Sequence, residues 1–277
     1  MKVRSYLARG SILVGLAIFV LAATAPFAWL ILSSFLEQQA LISTPPDLSP
    51  ASFTLDNYKE VFGSAAQLGR GLLNSVIVAT FTTALALLLG APAAYALARL
   101  GVPRADVFLL IILAAQMFPA IVIVIPLFIA AAKLGLIDTR LNLILIYLSF
   151  NLPIVIWVLR GFFVALPPGL ERAARMDGAT IFQTFRLVIL PISLPPLFAA
   201  ASFAFIEAWN EFFLALIMTR QNAQTVPLVI SAFAGQYQTI FGQMMAAAAI
   251  SVAPIMLLTF LLRTTILRGF ADGLLKG

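Results

Sequence analysis

Six stretches of this chain are each long and apolar enough to cross a lipid bilayer, and together they exclude an ordinary water-soluble fold. They run from Ser11 to Leu32, Leu72 to Ala98, Val107 to Ala132, Asn142 to Leu159, Pro196 to Met218 and Met244 to Leu262. A helix rises ~1.5 Å per residue and a hydrocarbon core is ~30 Å thick, so about 20 apolar residues span it. The expected fold is all-α, a polytopic membrane protein with six transmembrane helices. Composition agrees: 10% of the residues are charged, where a soluble domain has about a quarter. The first stretch follows Lys2, Arg4 and Arg9 in the manner of a secretion signal. Its apolar run exceeds the usual ~7 to 15 residues, and Pro26, Phe27 and Trp29 suit an interfacial anchor better than a cleavage site, so it is read as a retained helix.

The basic residues set an expected orientation. With the N-terminus inside, the inner segments carry Lys2, Arg4, Arg9, Arg99, Arg104, Arg160, Arg172, Arg175, Arg186, Arg263, Arg268 and Lys276, which is 12 of the 17. Lys59, Arg70, Lys133, Arg140 and Arg220 fall outside. The positive-inside rule then places both termini in the cytoplasm. The net charge of +6 is thereby a topology signal and not a nucleic-acid footprint, which needs the bases gathered on one solvated face. The chain has no Cys and no His, and its four lysines lie outside any G-x-x-x-x-G-K-[ST] pattern. Thiolate and histidine chemistry, disulfides, His/Cys zinc sites and a P-loop are excluded, and no metal site is expected. Any ATP must be held by another subunit.

Residues 1–70 are read as an N-terminal tail, the first helix and an external loop, the loop holding Pro45, Pro46, Pro50 and Phe53-Thr-Leu-Asp-Asn-Tyr58. Residues 71–277 form a core of five helices with an inner loop at about 160–195 and a C-terminal tail. No internal repeat stands out, which weakens an inverted-repeat reading. In the inner loop, Pro167 and Pro168 suit a helix start, Glu171 lies in the first turn where the dipole favours an acid, and Asp177-Gly178 is a stop in which glycine takes the left-handed cap. The spacing predicts a helix over roughly 168–177, with Leu170, Ala173, Ala174 and Asp177 on one face and Arg172 and Arg175 elsewhere. A second helical piece starts near Thr180 and presents Phe182 and Phe185 before Pro191. One reading is an amphipathic helix lying on the membrane. Two alanines on the exposed ridge of a short helix are, however, poor membrane anchors and good inserts into a protein groove.

The run Glu-Arg-Ala-Ala-Arg-Met-Asp-Gly-Ala over residues 171–179, followed by Phe185, Leu190-Pro191 and Pro195, resembles the EAA loop of permease subunits in binding-protein-dependent ABC importers, in particular the carbohydrate branch. Leu73-Asn74-Ser75, the Ala94-Tyr-Ala-Leu-Ala-Arg99 run, Ala208-Trp209-Asn210-Glu211 and the tail Arg268-Gly-Phe-Ala-Asp-Gly-Leu-Leu-Lys-Gly277 are similar to the maltose-type G-type permeases. One departure is Arg172, which stands where the family usually has glutamate directly before the two alanines, with an acid one place earlier at Glu171. The resemblance implies a type I ABC importer permease fold in the cytoplasmic membrane and a non-catalytic translocation subunit. It implies a heterodimer with a second permease, two copies of a cytoplasmic ATPase that bind ATP and Mg, an external sugar-binding protein and no cofactor on this chain. On the same ground Glu171, Arg172, Ala173, Ala174, Met176, Asp177, Gly178, Ala179, Phe182, Phe185, Leu190 and Pro191 form the ATPase-coupling loop, and Asp272, Gly273 and Lys276 in the tail contact the ATPase.

For the translocation path, Glu207 near the middle of the fifth stretch and Glu211 one turn on, with Asn210, are the leading candidates. An acid at membrane depth costs ~3 kcal/mol on insertion scales and faces a partner or a water-filled cavity. Bonding to a neighbouring helix, holding two permeases together, is an equal alternative. Trp209 is a candidate sugar-stacking surface, and Gln116, Asn151 and Asn74 are weaker path candidates, since single amides also serve as helix glue. Pro119, Pro126, Pro153 and Pro254 predict kinks. A single-chain secondary transporter using Glu207 and Glu211 for ion or proton coupling is the alternative function. An intramembrane enzyme is disfavoured for want of a nucleophile and base. Among substrates, di- and oligosaccharides lead, with polyols and glycerol phosphates behind.

Overall fold

The computed structural model describes residues 2–63, 65–235 and 239–274, with side chains over 12–63, 67–235 and 239–260. It is 79% helical, and extended pairing among the described residues is limited to two isolated bridges, Leu36 with Phe53 and Ala234 with Thr239. The helices are α1 (Lys2–Ser34), α2 (Gln38–Ile42), α3 (Asp56–Gly63), α4 (Ala65–Arg99), α5 (Ala105–Ala115), α6 (Ala120–Lys133) and α7 (Arg140–Ala165). They continue as α8 (Gly169–Met176), α9 (Ile181–Thr184), α10 (Leu190–Ile192), α11 (Leu194–Asn210), α12 (Phe213–Met218), α13 (Val226–Ser231) and α14 (Phe241–Leu274). A π-helical turn, Phe185–Ile189, joins α9 to α10.

Four segments are long and apolar enough to cross a membrane unaided: Ile12–Ser34, Gln67–Arg99, Arg140–Ala165 and Phe241–Phe260. Two more are bent pairs: α5 with α6, bent by 87°, and Ile181–Ile192 with α11, bent by 78°. Among the described residues the candidate spans therefore number four, or up to six if each bent pair is one span. Two stretches expected to be continuous helices are interrupted. Val107–Ala132 breaks at residues 116–119, where Pro119 lacks an N–H and disfavours helical backbone at Phe118. Pro196–Met218 breaks at Glu211, whose backbone is extended (φ −67°, ψ 118°). The Glu211 carboxylate then accepts from Leu214 N at 2.7 Å and starts α12. Pro126, Pro153 and Pro254 lie inside α6, α7 and α14 without dividing them.

Two compact units make up the chain, residues 1–68 with 230–253 and residues 69–229 with 254–277. In the first, the carbonyls at the end of α1 are capped by one buried amide: Asn57 Nδ2 donates to Ser34 O at 3.0 Å and to Leu36 O at 2.8 Å. Gly242 makes this approach possible, because a Cβ there would collide with the Asn57 side-chain amide. Tyr58 closes the corner, its ring 5.1 Å from Phe35 and its hydroxyl 2.7 Å from Ser34 Oγ.

The second unit is built on small residues repeated every four positions, the spacing that lets membrane helices approach closely. Ala86, Gly90 and Ala94 are buried on α4, and Ala200, Ala204 and Ala208 on α11. They belong to or flank a core that also holds Leu109, Val155, Ile156, Leu159, Phe163 and Ile189. At Gly90 a Cβ would already meet Val155 Cγ1 at 2.8 Å. Arg160 on α7 pairs with Asp106 in the first turn of α5.

Candidate functional site

The inner loop folds as α8, a sharp exit and a second start. Pro168 precedes α8 and Asp177 ends it, and Gly178 sits at φ +82°, where a side chain would be strained. Thr180 begins α9 with a capping box: its hydroxyl accepts from Gln183 N while Gln183 Oε1 accepts from Thr180 N. The face expected to carry both alanines divides. Ala174 is buried, and Ala173 is exposed together with Arg172, Arg175, Met176, Asp177 and Gly178. Met176 and Phe182 are 83% and 67% exposed. The eight-residue α8 thus offers an outward surface of two arginines, a methyl-sized ridge and Met176, and α9 adds Phe182 beyond the turn.

Glu171 is on the other side. Its carboxylate is buried and accepts from Arg99 Nε, the last residue of α4, at 3.0 Å. The acid that sequence reasoning placed in the contact set is therefore spent within the chain, and Arg172 faces out. Phe185 is also turned inward, its ring 5.0 Å from that of Tyr95, while Tyr95 meets Phe163 edge-on at 5.9 Å. Ala179 and Leu190 are half-buried, and Pro191 is exposed beside the 78° bend. The π-helical turn that follows α9 is a form often found at functional positions. Asp272, Gly273 and Lys276 lie outside the residues whose side chains are described.

Four of the seven path candidates come together. Gln116, Asn151, Glu207 and Glu211 line a cavity of about 180 Å³ with Tyr147. Gln116 and Glu211 sit at the two helix breaks, so the interruptions are what bring polar groups and irregular backbone to one place, the pattern of membrane sites lining a water-filled path. Gln116 Nε2 donates to Phe150 O at 2.8 Å and Asn151 Nδ2 to Tyr147 O at 3.0 Å, whereas Glu207 is exposed. At about 180 Å³ the cavity is below the ~300 Å³ lower end of ligand pockets and is too small for a disaccharide. Trp209 is not a stacking surface here: it is 2% exposed and stacked on Phe205 at 5.7 Å. Asn210 is exposed and does not line the cavity, and Asn74 lies in a separate polar cluster.

That cluster went unread in the sequence. Asp138, in the left-handed region at φ 62°, follows α6, and its carboxylate accepts from the backbone N–H groups of Arg220, Gln221, Asn222 and Ala223. Beside it, Arg140 Nε donates to Asn74 Oδ1 at 2.6 Å, and Asn74 Nδ2 to the carbonyls of Asn222 and Gln224. Two loops and one end of a span are tied together. Burial works to raise the Asp138 pKa, but the four N–H donors outweigh it and hold it down, from 3.8 to about 2. A depressed pKa adds stability that is present above ~3.8 and is lost as the pH falls towards 2, amounting to about 2 kcal/mol at most. Asp138→Asn is expected to lower the thermal midpoint of the detergent-purified protein at pH 7, with the gap to wild type closing between pH 4 and 2. A gap that stays constant over that range would show the carboxylate charge to be irrelevant.

An all-helical membrane chain with broken spans and a short outward-facing helix between two of them has the form of an importer's translocation subunit. Residues 86–271 match the model of the binding-protein-dependent transport system inner membrane component family, and the chain belongs to that family. It is 40% identical over 233 residues to the trehalose transport system permease protein SugB of Mycobacterium tuberculosis, covering 83% of this chain and 85% of the relative. It is 35% identical over 269 residues to the trehalose/maltose transport system permease protein MalG of Thermococcus litoralis, covering 96% of each. Among solved structures it is similar to a bacterial ABC transporter for import of the acidic polysaccharide alginate, with a TM-score of 0.74, 22% identity and 94% and 96% coverage of the two chains. This is a multi-pass protein of the inner membrane.

Proposed function

We propose that the chain imports a sugar, a di- or oligosaccharide, as one of two permease subunits driven by two copies of a cytoplasmic ATPase and fed by an external binding protein. The curated relatives named for trehalose and maltose support the sugar class, and they lend no support to an ion-coupled single-chain transporter. In this reading both bent pairs cross the membrane, giving six spans with both termini inside, the orientation that the 12 inner basic residues favour. ATP and Mg bind to the ATPase, and this chain carries no catalytic group.

The observation that carries the reading is the division of α8 into an inward face held by Glu171 and Ala174 and an outward face of Arg172, Ala173, Arg175 and Met176. Alternating access requires contacts that differ between two states. Closure of the ATPase dimer moves α8, and the bends at residues 193 and 211 are the joints at which α11 and α12 reorient. The outward arginines, with Glu171 already neutralised, call for a groove lined by carboxylates in place of one that receives an acid. The cavity at Gln116, Glu207 and Glu211 is half of a sugar path, completed by the second subunit. Inactivating the partner ATPase is expected to abolish uptake of the sugar by intact cells, and uptake that survives would select the ion-coupled alternative.

A further inference from the structure

Arg99 and Glu171 are 72 residues apart in sequence, yet they meet in a pair with 11% and 9% of the side chains exposed. Arg99 is the last residue of α4, and Tyr95 stands one turn before it with its phenol beside the same carboxylate. From α8 itself only Glu171 and Ala174 are buried. A methyl group slides against its neighbours, whereas a sheltered ion pair resists being pulled apart. Being sheltered, it is also little weakened by salt. The strongest directional tie from the eight-residue helix to a membrane span therefore runs through one guanidinium.

We propose that the Arg99–Glu171 pair is the link by which displacement of α8 is passed to α4, with Arg99 acting as a positioning residue. The inference rests on α8 being the ATPase contact. Arg99 engages the carboxylate through Nε, while its Nη2 is buried without a protein acceptor. A planar fork gripped by one prong keeps a second donor at hand when the carboxylate rotates. The pair can then persist as α8 turns, and a lysine ammonium at position 99 lacks that second prong. Tyr95, edge-on to Phe163 and tilted against Phe185, carries the same motion to the end of α7 and to the π-helical turn.

The test is the ratio of sugar imported to ATP hydrolysed by the assembled transporter in proteoliposomes with its binding protein. R99Q and E171Q are each expected to lower that ratio roughly tenfold, R99K to give partial rescue relative to R99Q, and the exchange R99E with E171R to recover it to within about threefold, on the scale of allosteric couplings. Single variants whose ratio stays within about twofold of wild type would overturn the link, as would uptake and hydrolysis that fall in proportion, or an exchange that recovers nothing. Absence of ATP-driven uptake by the wild type would overturn the importer reading instead, and the link with it.

Discussion

Ala173→Trp is expected to abolish sugar uptake while the protein reaches the membrane and keeps its thermal stability, and Ala174→Trp is expected to remove the folded protein altogether. The two alanines are adjacent, and only their burial separates them. Ala173 is exposed on the outward face of α8, so an indole there meets solvent in the isolated chain and displaces a partner only in the assembly. Ala174 is 8% exposed, on the inward face beside Glu171, where added volume costs about 1 to 3 kcal/mol or more. Loss of a coupling contact is worth about 5- to 150-fold, enough to silence uptake. The checks are membrane content, thermal midpoint and transport rate for both variants. If Ala173→Trp transports like wild type, the outward face of α8 is not the coupling surface.

Gly90→Leu is expected to lower stability at a second site, within the membrane core. Gly90 lies between Ala86 and Ala94 on the face of α4 that meets α7, with Val155 Cγ1 2.8 Å and Leu152 Cδ1 3.4 Å from where a Cβ would stand. Val155 Cγ1 is a methyl on a stiff, β-branched side chain, so even the Cβ of alanine fits only where Val155 itself shifts. The branch of leucine has no such space, because Val155 is itself 2% exposed. Apolar residues gain little by leaving lipid for one another, so close backbone approach supplies the packing energy in a membrane, and separating α4 from α7 forfeits it. Gly90→Leu is expected to cost roughly 3 kcal/mol and lower the thermal midpoint by about 6 to 12 °C, with a smaller drop for Gly90→Ala. Equal midpoints for the two variants would show that this face is not closely packed.

The apolar runs and the inner loop were legible because each is a local pattern. Pro168, Asp177, Gly178 and Thr180 mark starts and stops by chemistry that acts within four residues, and the structure places α8 and α9 between them. The breaks were less legible. Pro119 predicts a kink and is a full interruption, and nothing near Glu211 announces that its carboxylate accepts from Leu214 N in the first turn of α12. The long-range polar ties were invisible: the donors to Asp138 lie 82 to 85 residues downstream, and Arg99 meets an acid 72 residues away. The Asp138-Thr139 pair before α7 was a missed local signal, since Thr139 Oγ1 accepts from Asn142 N as a helix cap. Burial also decided what periodicity could not, covering Ala174 while leaving its neighbour Ala173 exposed and turning Trp209 into the core.

In the proposed importer, ATP hydrolysis in a partner, passed through α8, drives a sugar across the membrane. The most direct test is accumulation of a labelled disaccharide in proteoliposomes that hold the assembled transporter and its binding protein, with proton and sodium gradients collapsed by ionophores. ATP alone is expected to sustain full accumulation, and vesicles given an ion gradient without ATP are expected to accumulate none. Accumulation that follows the ion gradient and ignores ATP would contradict the account.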